Sequence, residues 1–208
     1  SKGKPVLLAS GASTIKEVDI AMTILTNHTD EIVLMQCNTN YTASLENFKY
    51  INLNVLKEYK RRYPNTILGL SDHTPGHATV LGAVALGARV IEKHFTDDTT
   101  REGPDHKFSM DFDTWKNMVD RTRELENSLG LEIKKVEDNE KETVVLQRRA
   151  IRAKKDLIVG DIICEDDLEF LRPCPKDALS PYDLEKIINK EIVSSIESGD
   201  YIKWKNLK

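Results

Sequence analysis

Two histidines follow short apolar stretches that are typical of neighbouring strands. The first stretch runs into Ser71, Asp72 and His73, and the second runs into Glu92 and His94. Because parallel strands lie about 5 Å apart, both imidazoles could bind one divalent ion and leave positions open for substrate and water. One histidine at a strand end is more often a satisfied polar residue, but two beside carboxylates favour a Lewis-acid site.

Three further groups of polar residues could bind a ligand. Residues 37–41 read Cys-Asn-Thr-Asn-Tyr, which suits a polyhydroxylated ligand but is also ordinary in loops. The Gly-Pro-Asp sequence at 103–105 is either a simple turn or part of a ligand-binding loop. Ser71 could contact a phosphate or carboxylate, or cap a turn. Lys93 and Lys107 could meet an anion, although solvated surface lysine is commoner.

The elements that position these residues alternate between strand and helix. Hydrophobic periodicity predicts strands over 5–9, 31–36, 66–70 and 89–95 and helices over 14–25, 45–62, 75–86 and 113–129. Thr14 and Glu17 form a capping box, and Asp113 caps the last helix. Such alternation predicts a parallel sheet, either doubly wound or part of a (β/α)8 barrel.

Four units make only half of a barrel. The sequence has Ser1 directly before a strand and no initiator Met, so we expect it to begin partway through a longer protein. Half a barrel exposes two sheet edges and an apolar face, and we therefore expect the isolated chain to associate.

A second domain follows a charged linker at 131–147. Residues 148–208 contain short β-type runs at 150–153, 162–164, 191–193 and 201–204, separated by turn residues. About 60 residues form only a small, loop-rich core. Such a module more often binds or clamps than catalyses alone.

The charge and the distribution of apolar residues argue against binding to nucleic acid or to a membrane. The net charge is −4 with 31% charged residues, so no basic field for nucleic acid or an anionic membrane exists. No apolar run reaches the roughly 20 residues of a membrane span, and we expect a soluble, cytoplasmic protein. Cys37, Cys164 and Cys174 are widely spaced and odd in number, which predicts reduced thiols.

Segments 69–76, 92–96, 103–109 and Arg172-Pro173 resemble the sialic acid synthase family, including its legionaminate and pseudaminate relatives. The resemblance covers essentially the whole chain. It implies an α/β fold, the C-terminal half of a (β/α)8 TIM barrel over residues 1–130, followed at 148–208 by a small β-rich SAF (antifreeze-like, β-clip) domain. It also implies that phosphoenolpyruvate condenses with an N-acetylated amino-sugar aldehyde, either N-acetylmannosamine or a 6-deoxy diacetamido analogue, releasing phosphate.

The resemblance assigns catalytic roles to three residues. His73 and His94 would bind Mn2+, or Mg2+ or Co2+, which polarises the aldehyde for attack by C3 of phosphoenolpyruvate. Glu92 would transfer a proton or support the site.

The resemblance also implies substrate-binding roles. Ser71 would contact phosphoenolpyruvate, and Tyr41 and Asp105 would hold the amino sugar. Arg172 would reach the partner's sugar site in a domain-swapped homodimer. Ser10 and Asn40 are further candidates for the phosphoenolpyruvate contacts.

The chain departs from the family at two of these positions. Relatives often carry Ser-Thr-Gly where this chain has Ala9-Ser10-Gly11, and Tyr-Pro where it has Tyr41-Thr42. Whether Ser10 and Asn40 make the family's contacts is open. Family lysines and a glutamate that grip phosphoenolpyruvate lie on the first four barrel strands, so we expect these 208 residues alone to be inactive.

Two other functions stay open from the sequence. The first is a different metal-dependent barrel enzyme, an aldolase or hydrolase, that needs no phosphoenolpyruvate. The second is a non-catalytic module that binds carbohydrate through the SAF-like domain. The presence of His73, His94 and Asp105 argues against the second alternative.

Overall fold

The computed structural model describes residues 3–208, which divide into two compact units between Leu131 and Glu132. The first unit is an α/β half-barrel and the second is a smaller unit rich in loops and short strands.

The first unit is built on a sheet of four parallel strands in sequential order, which confirms the predicted parallel half-barrel sheet. The strands are Val6–Ala9 (β1), Ile32–Cys37 (β2), Ile67–Asp72 (β3) and Val90–Lys93 (β4). In the register of β3 and β4, Ser71 lies opposite Glu92 and Asp72 lies opposite Lys93. Every strand thus delivers its last residues to the same end of the sheet.

Helices that follow each strand in the sequence bury one face of this sheet. They are Ile15–Thr26 (α1), Val55–Arg62 (α2), Ala78–Ala85 (α3) and Phe112–Leu129 (α4). Side chains alternate along a strand, and Leu34, Leu68 and Leu70 point into a core shared with Leu56 and Met118 of the helices. On the other face, Leu7 and Ile67 are half exposed. The predicted tendency of the isolated chain to associate through such surface stays a prediction.

The predicted helix over 45–62 is wrong as a single element. A 3-10 helix covers Leu45–Tyr50, and α2 begins only at Val55. Between them Asn52 adopts a positive φ of 57°, a left-handed conformation that an α-helix does not contain and that asparagine tolerates better than most residues. The two pieces are therefore separate elements.

Two predicted helix starts also differ. The helix predicted from residue 75 begins at Ala78 because Gly76 has a φ of 71°, outside the helical region. The last helix of the unit is capped by Asp111, not by Asp113. The Asp111 carboxylate accepts a hydrogen bond from the backbone N–H of Thr114 at 2.9 Å, which satisfies an N–H that has no partner inside the helix.

The capping box predicted at the first helix is confirmed. The backbone N–H and the hydroxyl of Thr14 each donate to the Glu17 carboxylate at 2.7 Å. These hydrogen bonds lower the pKa of Glu17.

The second unit has a two-stranded antiparallel sheet. It pairs Ala150–Ala153 (β5), where the sequence predicts a strand, with Leu168–Leu171 (β6), which the sequence did not predict. The other predicted β-type runs contribute single bridges instead of strands, for example Ile162 with Glu191. A short helix, Lys141–Gln147 (α5), lies within the segment predicted as a linker, and Leu184–Ile187 (α6) completes the helices. The core of the second unit includes the fully buried residues Ile151, Ile163 and Ile202.

Candidate active site at the carboxyl ends of the strands

His73 and His94 come together just beyond the ends of β3 and β4. Their ring centres are 5.1 Å apart. His73 is buried, whereas the His94 side chain is about one quarter exposed. The structure therefore places the two predicted histidines side by side, with one edge of the pair open to solvent.

A protein oxygen faces one ring nitrogen of each histidine. Nδ1 of His73 lies 2.7 Å from the backbone carbonyl of Asn38. A carbonyl only accepts, so Nδ1 carries the hydrogen, and in the neutral ring Nε2 is then the nitrogen with a lone pair. Nδ1 of His94 makes a longer contact of 3.5 Å with the Asp105 carboxylate. Both rings thus have a partner on Nδ1, which is the arrangement of metal-binding histidines that bind through Nε2.

Aromatic side chains wall this pair. The Tyr41 ring lies 4.3 Å from the His73 ring and 5.7 Å from the His94 ring, centre to centre. Phe108 is buried and lies 5.1 Å from His94. Tyr41 itself is 54% exposed, so part of its side chain is open to solvent beside the histidines.

Ser71 and Glu92 lie next to each other on the same face of the sheet. The Ser71 hydroxyl donates a 2.8 Å hydrogen bond to the Glu92 carboxylate. Ser71 is buried, while Glu92 is exposed. Cys37 of β2 lies opposite Ser71, and its burial raises the pKa of the thiol. The Cys37 thiol is therefore kept neutral.

The loop after β4 is held in a defined shape. The Thr96 hydroxyl and Nδ1 of His106 are 2.8 Å apart, and the backbone N–H of Met110 donates to the carbonyl of His94 at 2.9 Å. The Ser109 hydroxyl donates to the backbone carbonyl of Asp105 at 2.7 Å. These bonds hold the backbone of the loop that carries Asp105 and Phe108.

Lys93 departs from both sequence interpretations, an anion-binding lysine and a solvated surface lysine. Its side chain is 1% exposed and its ammonium group lies 2.6 Å from the Asp72 carboxylate, which is fully buried. Asp72 and Lys93 therefore form an ion pair inside the protein. Lys107, in contrast, is exposed.

Arg172 lies in the second unit, just after β6. Its backbone carbonyl accepts a 3.2 Å hydrogen bond from the guanidinium of Arg152, which also lies 4.1 Å above the ring of Tyr201. The Arg172 side chain is exposed. Its predicted contact with a partner's sugar stays a prediction.

Comparison with known proteins now decides the family. Residues 1–134 match the NeuB family and residues 148–208 match the SAF domain. The chain belongs to the NeuB family. The resemblance inferred from the strand-end motifs is thereby confirmed.

Two relatives show how much of a NeuB protein this chain spans. It is 38% identical over 206 residues to an uncharacterized protein of Methanocaldococcus jannaschii, covering 99% of this chain and 59% of the relative. It is 33% identical over 213 residues to the N,N'-diacetyllegionaminic acid synthase of Legionella pneumophila, covering 100% of this chain and 58% of that enzyme. The chain therefore spans less than two thirds of these relatives.

A solved structure supports the fold of this NeuB family member. The crystal structure of a spore coat polysaccharide biosynthesis protein E from Chromobacterium violaceum matches with a TM-score of 0.69 and 20% identity, covering 99% of this chain and 61% of that protein. At this identity the likeness concerns the fold alone.

The histidine pair fits the divalent ion that the NeuB resemblance implies. Imidazole nitrogens suit several divalent transition metals. Nδ1 of His73 is hydrogen-bonded to a carbonyl, as is usual for metal-binding histidines, and Nδ1 of His94 lies 3.5 Å from a carboxylate. Within residues 3–208 no group of three or more histidine, cysteine, aspartate or glutamate side chains is arranged to hold a metal. His73 and His94 would therefore share the ion with water and substrate oxygens.

Ser10 and Asn40 are each engaged by other residues of the chain. The Ser10 hydroxyl donates to the Met35 carbonyl at 2.9 Å and accepts from the Tyr59 hydroxyl at 2.8 Å. It also lines a cavity of about 440 Å³ near the ends of β1 and β2. The Asn40 amide donates to the side-chain carbonyl of Asn47 at 3.2 Å. Their predicted substrate contacts stay predictions.

Sequence reasoning missed how two residues shape the site. Asn38 belongs to a segment predicted to bind a ligand, but it contributes its backbone carbonyl to His73, and Phe108 packs against both histidines. A backbone acceptor leaves no signal in the residue type. A lone phenylalanine in a polar loop is a weak signal, although its position near Asp105 and His106 makes it a candidate site residue.

No helix among residues 3–208 is long and apolar enough to cross a membrane.

Proposed function

We propose that this protein is a nonulosonic acid synthase, which condenses phosphoenolpyruvate with an N-acetylated amino-sugar aldehyde and water and releases inorganic phosphate. The observation that carries the proposal is the His73 and His94 pair, with each Nδ1 facing a protein oxygen and Tyr41 beside the rings. Membership of the NeuB family and the name of the Legionella relative support it.

Different residues of the site would bind the divalent ion, phosphoenolpyruvate and the amino sugar. His73 and His94 would hold a divalent ion, with Mn2+ the first candidate, and a bound ion of this kind polarises a carbonyl oxygen. Ser71 would bind phosphoenolpyruvate at the sheet end. Tyr41 and Asp105, which contact the histidines, would bind and orient the amino sugar so that its aldehyde carbon faces C3 of phosphoenolpyruvate.

Glu92 is the proposed proton-transfer group. In the overall reaction C3 of phosphoenolpyruvate forms a bond to the aldehyde carbon, the aldehyde oxygen gains a proton, water adds at C2 and phosphate leaves. A carboxyl group held beside Ser71 would accept a proton as the carboxylate and donate one as the acid. Arg172 would complete the sugar site of a second subunit in a homodimer.

The test is phosphate release from phosphoenolpyruvate by the complete natural protein with Mn2+ and a series of amino sugars. We expect release that depends on the sugar and is lost in His73→Ala and in His94→Ala. His28→Ala is the matched control, because His28 is exposed outside the site and its loss should leave the rate unchanged. No release with any hexosamine would overturn the proposal and favour another metal-dependent barrel enzyme.

A further inference from the structure

We propose that the buried Asp72–Lys93 ion pair is a positioning device that sets the separation of His73 and His94 for binding the divalent ion. This inference rests on the proposed function, because it assigns a purpose to the ion pair only if the histidines share an ion. The side chains of Asp72 and Lys93 are 0% and 1% exposed, out of reach of a substrate, so both are positioning residues.

The ion pair joins the last residues of β3 and β4. Asp72 and Lys93 are opposite each other in the strand register, and their charged groups are 2.6 Å apart. Each is followed in the sequence by one of the histidines. The side-chain contact therefore ties together the two backbone positions from which His73 and His94 leave the sheet.

A second set of hydrogen bonds fixes the pair itself. The Asp72 carboxylate accepts from the Thr79 hydroxyl at 2.6 Å and from the backbone N–H of Thr74 at 3.1 Å. The Lys93 ammonium also donates to the backbone carbonyl of Thr74 at 2.6 Å. Each charged group thus has at least two partners, and the turn that follows His73 is bound to the same network.

A contribution to the free energy of folding does not by itself explain the buried Asp72–Lys93 ion pair. Removing two charges from water is costly, and apolar residues of similar size are often as stable or more stable in the same place. Leu70 and Ile91 already fill the adjacent core positions of the same strands. The specific geometry of the ion pair accounts for its presence better than its contribution to the free energy of folding.

The experiment replaces the pair with apolar residues of similar size in the complete protein, Asp72→Leu with Lys93→Met. Mn2+ affinity is measured by calorimetric titration, and folding is measured by thermal unfolding. We expect a cooperatively folded double variant whose Mn2+ affinity is reduced at least about 10-fold, the effect typical of lost outer-shell support for metal ligands. A merely structural role would change the unfolding temperature and leave the affinity alone.

Two further variants make the test decisive. Thr79→Val removes one hydrogen bond to Asp72 and should weaken Mn2+ binding roughly fivefold even if the double variant fails to fold. Lys116→Gln with Asp120→Asn is the control. It removes an exposed ion pair on α4 and should leave the Mn2+ affinity unchanged. Unchanged Mn2+ affinity in the folded double variant, or in Thr79→Val, overturns the inference alone. Absence of Mn2+ binding by the natural protein overturns the proposed function as well.

Discussion

The Ser71 hydroxyl donates to the Glu92 carboxylate at 2.8 Å, across the register of β3 and β4. This contact aims the carboxylate along the sheet face that carries the candidate site. If Glu92 transfers a proton, its amide substitute keeps the hydrogen bond and loses the chemistry. Glu92→Gln should therefore lower kcat for phosphate release by about 10²- to 10⁴-fold.

The control for this prediction is Glu102→Gln, since Glu102 is exposed in the loop after β4. Its kcat should match that of the natural protein. Mn2+ affinity, measured separately, should be similar in both variants. A Glu92→Gln enzyme with nearly full kcat would remove Glu92 from the reaction.

Tyr41 should act through its ring as well as its hydroxyl, because the ring lies 4.3 Å from that of His73. Tyr41→Ala removes this wall and should raise KM for the amino sugar roughly 10-fold, while Tyr41→Phe keeps the ring and should have a smaller effect. Steady-state kinetics with the sugar varied measures both. Tyr182→Ala is the control, since Tyr182 is 94% exposed. Equal KM values for Tyr41→Ala and the natural protein would contradict a sugar contact.

Glycine should be required at position 11 for sugar binding, because the backbone of Gly11 lies close to the Thr39 side chain. A Cβ at Gly11 would lie 2.2 Å from Cγ2 of Thr39, closer than atoms can approach, and 3.1 Å from Sγ of Cys37. Gly11→Ala should displace the loop that carries Asn38 and Tyr41 and should raise KM for the sugar several-fold.

Thr39→Ala removes the clashing methyl group and provides the matched test for Gly11. The double variant Gly11→Ala with Thr39→Ala should recover most of the lost affinity, and Thr39→Ala alone reports any direct role of Thr39. If the double variant stays as impaired as Gly11→Ala, the clash with Thr39 is not the cause.

Asp167 of the second unit should make stability depend on acid pH. Its buried carboxylate lies 2.7 Å from the Lys155 ammonium and accepts from the backbone N–H of Cys164 at 3.1 Å. The hydrogen bonds from Lys155 and Cys164 lower the pKa of Asp167 from 3.8 to about 2. Because the folded-state pKa is the lower one, the stabilisation is present above the unfolded-state pKa and is lost as pH falls from about 4 to about 2.

Urea unfolding at a series of pH values tests this linkage. Asp167→Asn should be less stable than the natural protein near neutral pH, and the difference should shrink as the pH falls through that window. Asp166→Asn is the control, since the Asp166 side chain is exposed, and it should show little difference at any pH. A pH-independent gap for Asp167→Asn would mean that its ionisation does not stabilise the fold.

The order of the elements in the first unit could be read from the sequence because each strand is a short apolar run that packs locally against the next helix. β2 and β3 are almost entirely buried, so their apolar composition is enough to predict them as strands. The break before α2 could not be read, because the apolar spacing continues through Asn52 while the backbone there turns left-handed.

The sequence by itself determined that two neighbouring parallel strands end close to His73 and His94, although it ended β3 at residue 70 instead of Asp72 and β4 at residue 95 instead of Lys93. Only the tertiary structure decided how they are held. The Asn38 carbonyl reaches His73 across 35 residues of chain, and Lys93 turns inward to Asp72 instead of outward to solvent. Residue type records hydrophobicity and charge, but a hydrogen bond to a distant backbone atom and the side to which a lysine points depend on packing that forms only when the sheet and helices assemble.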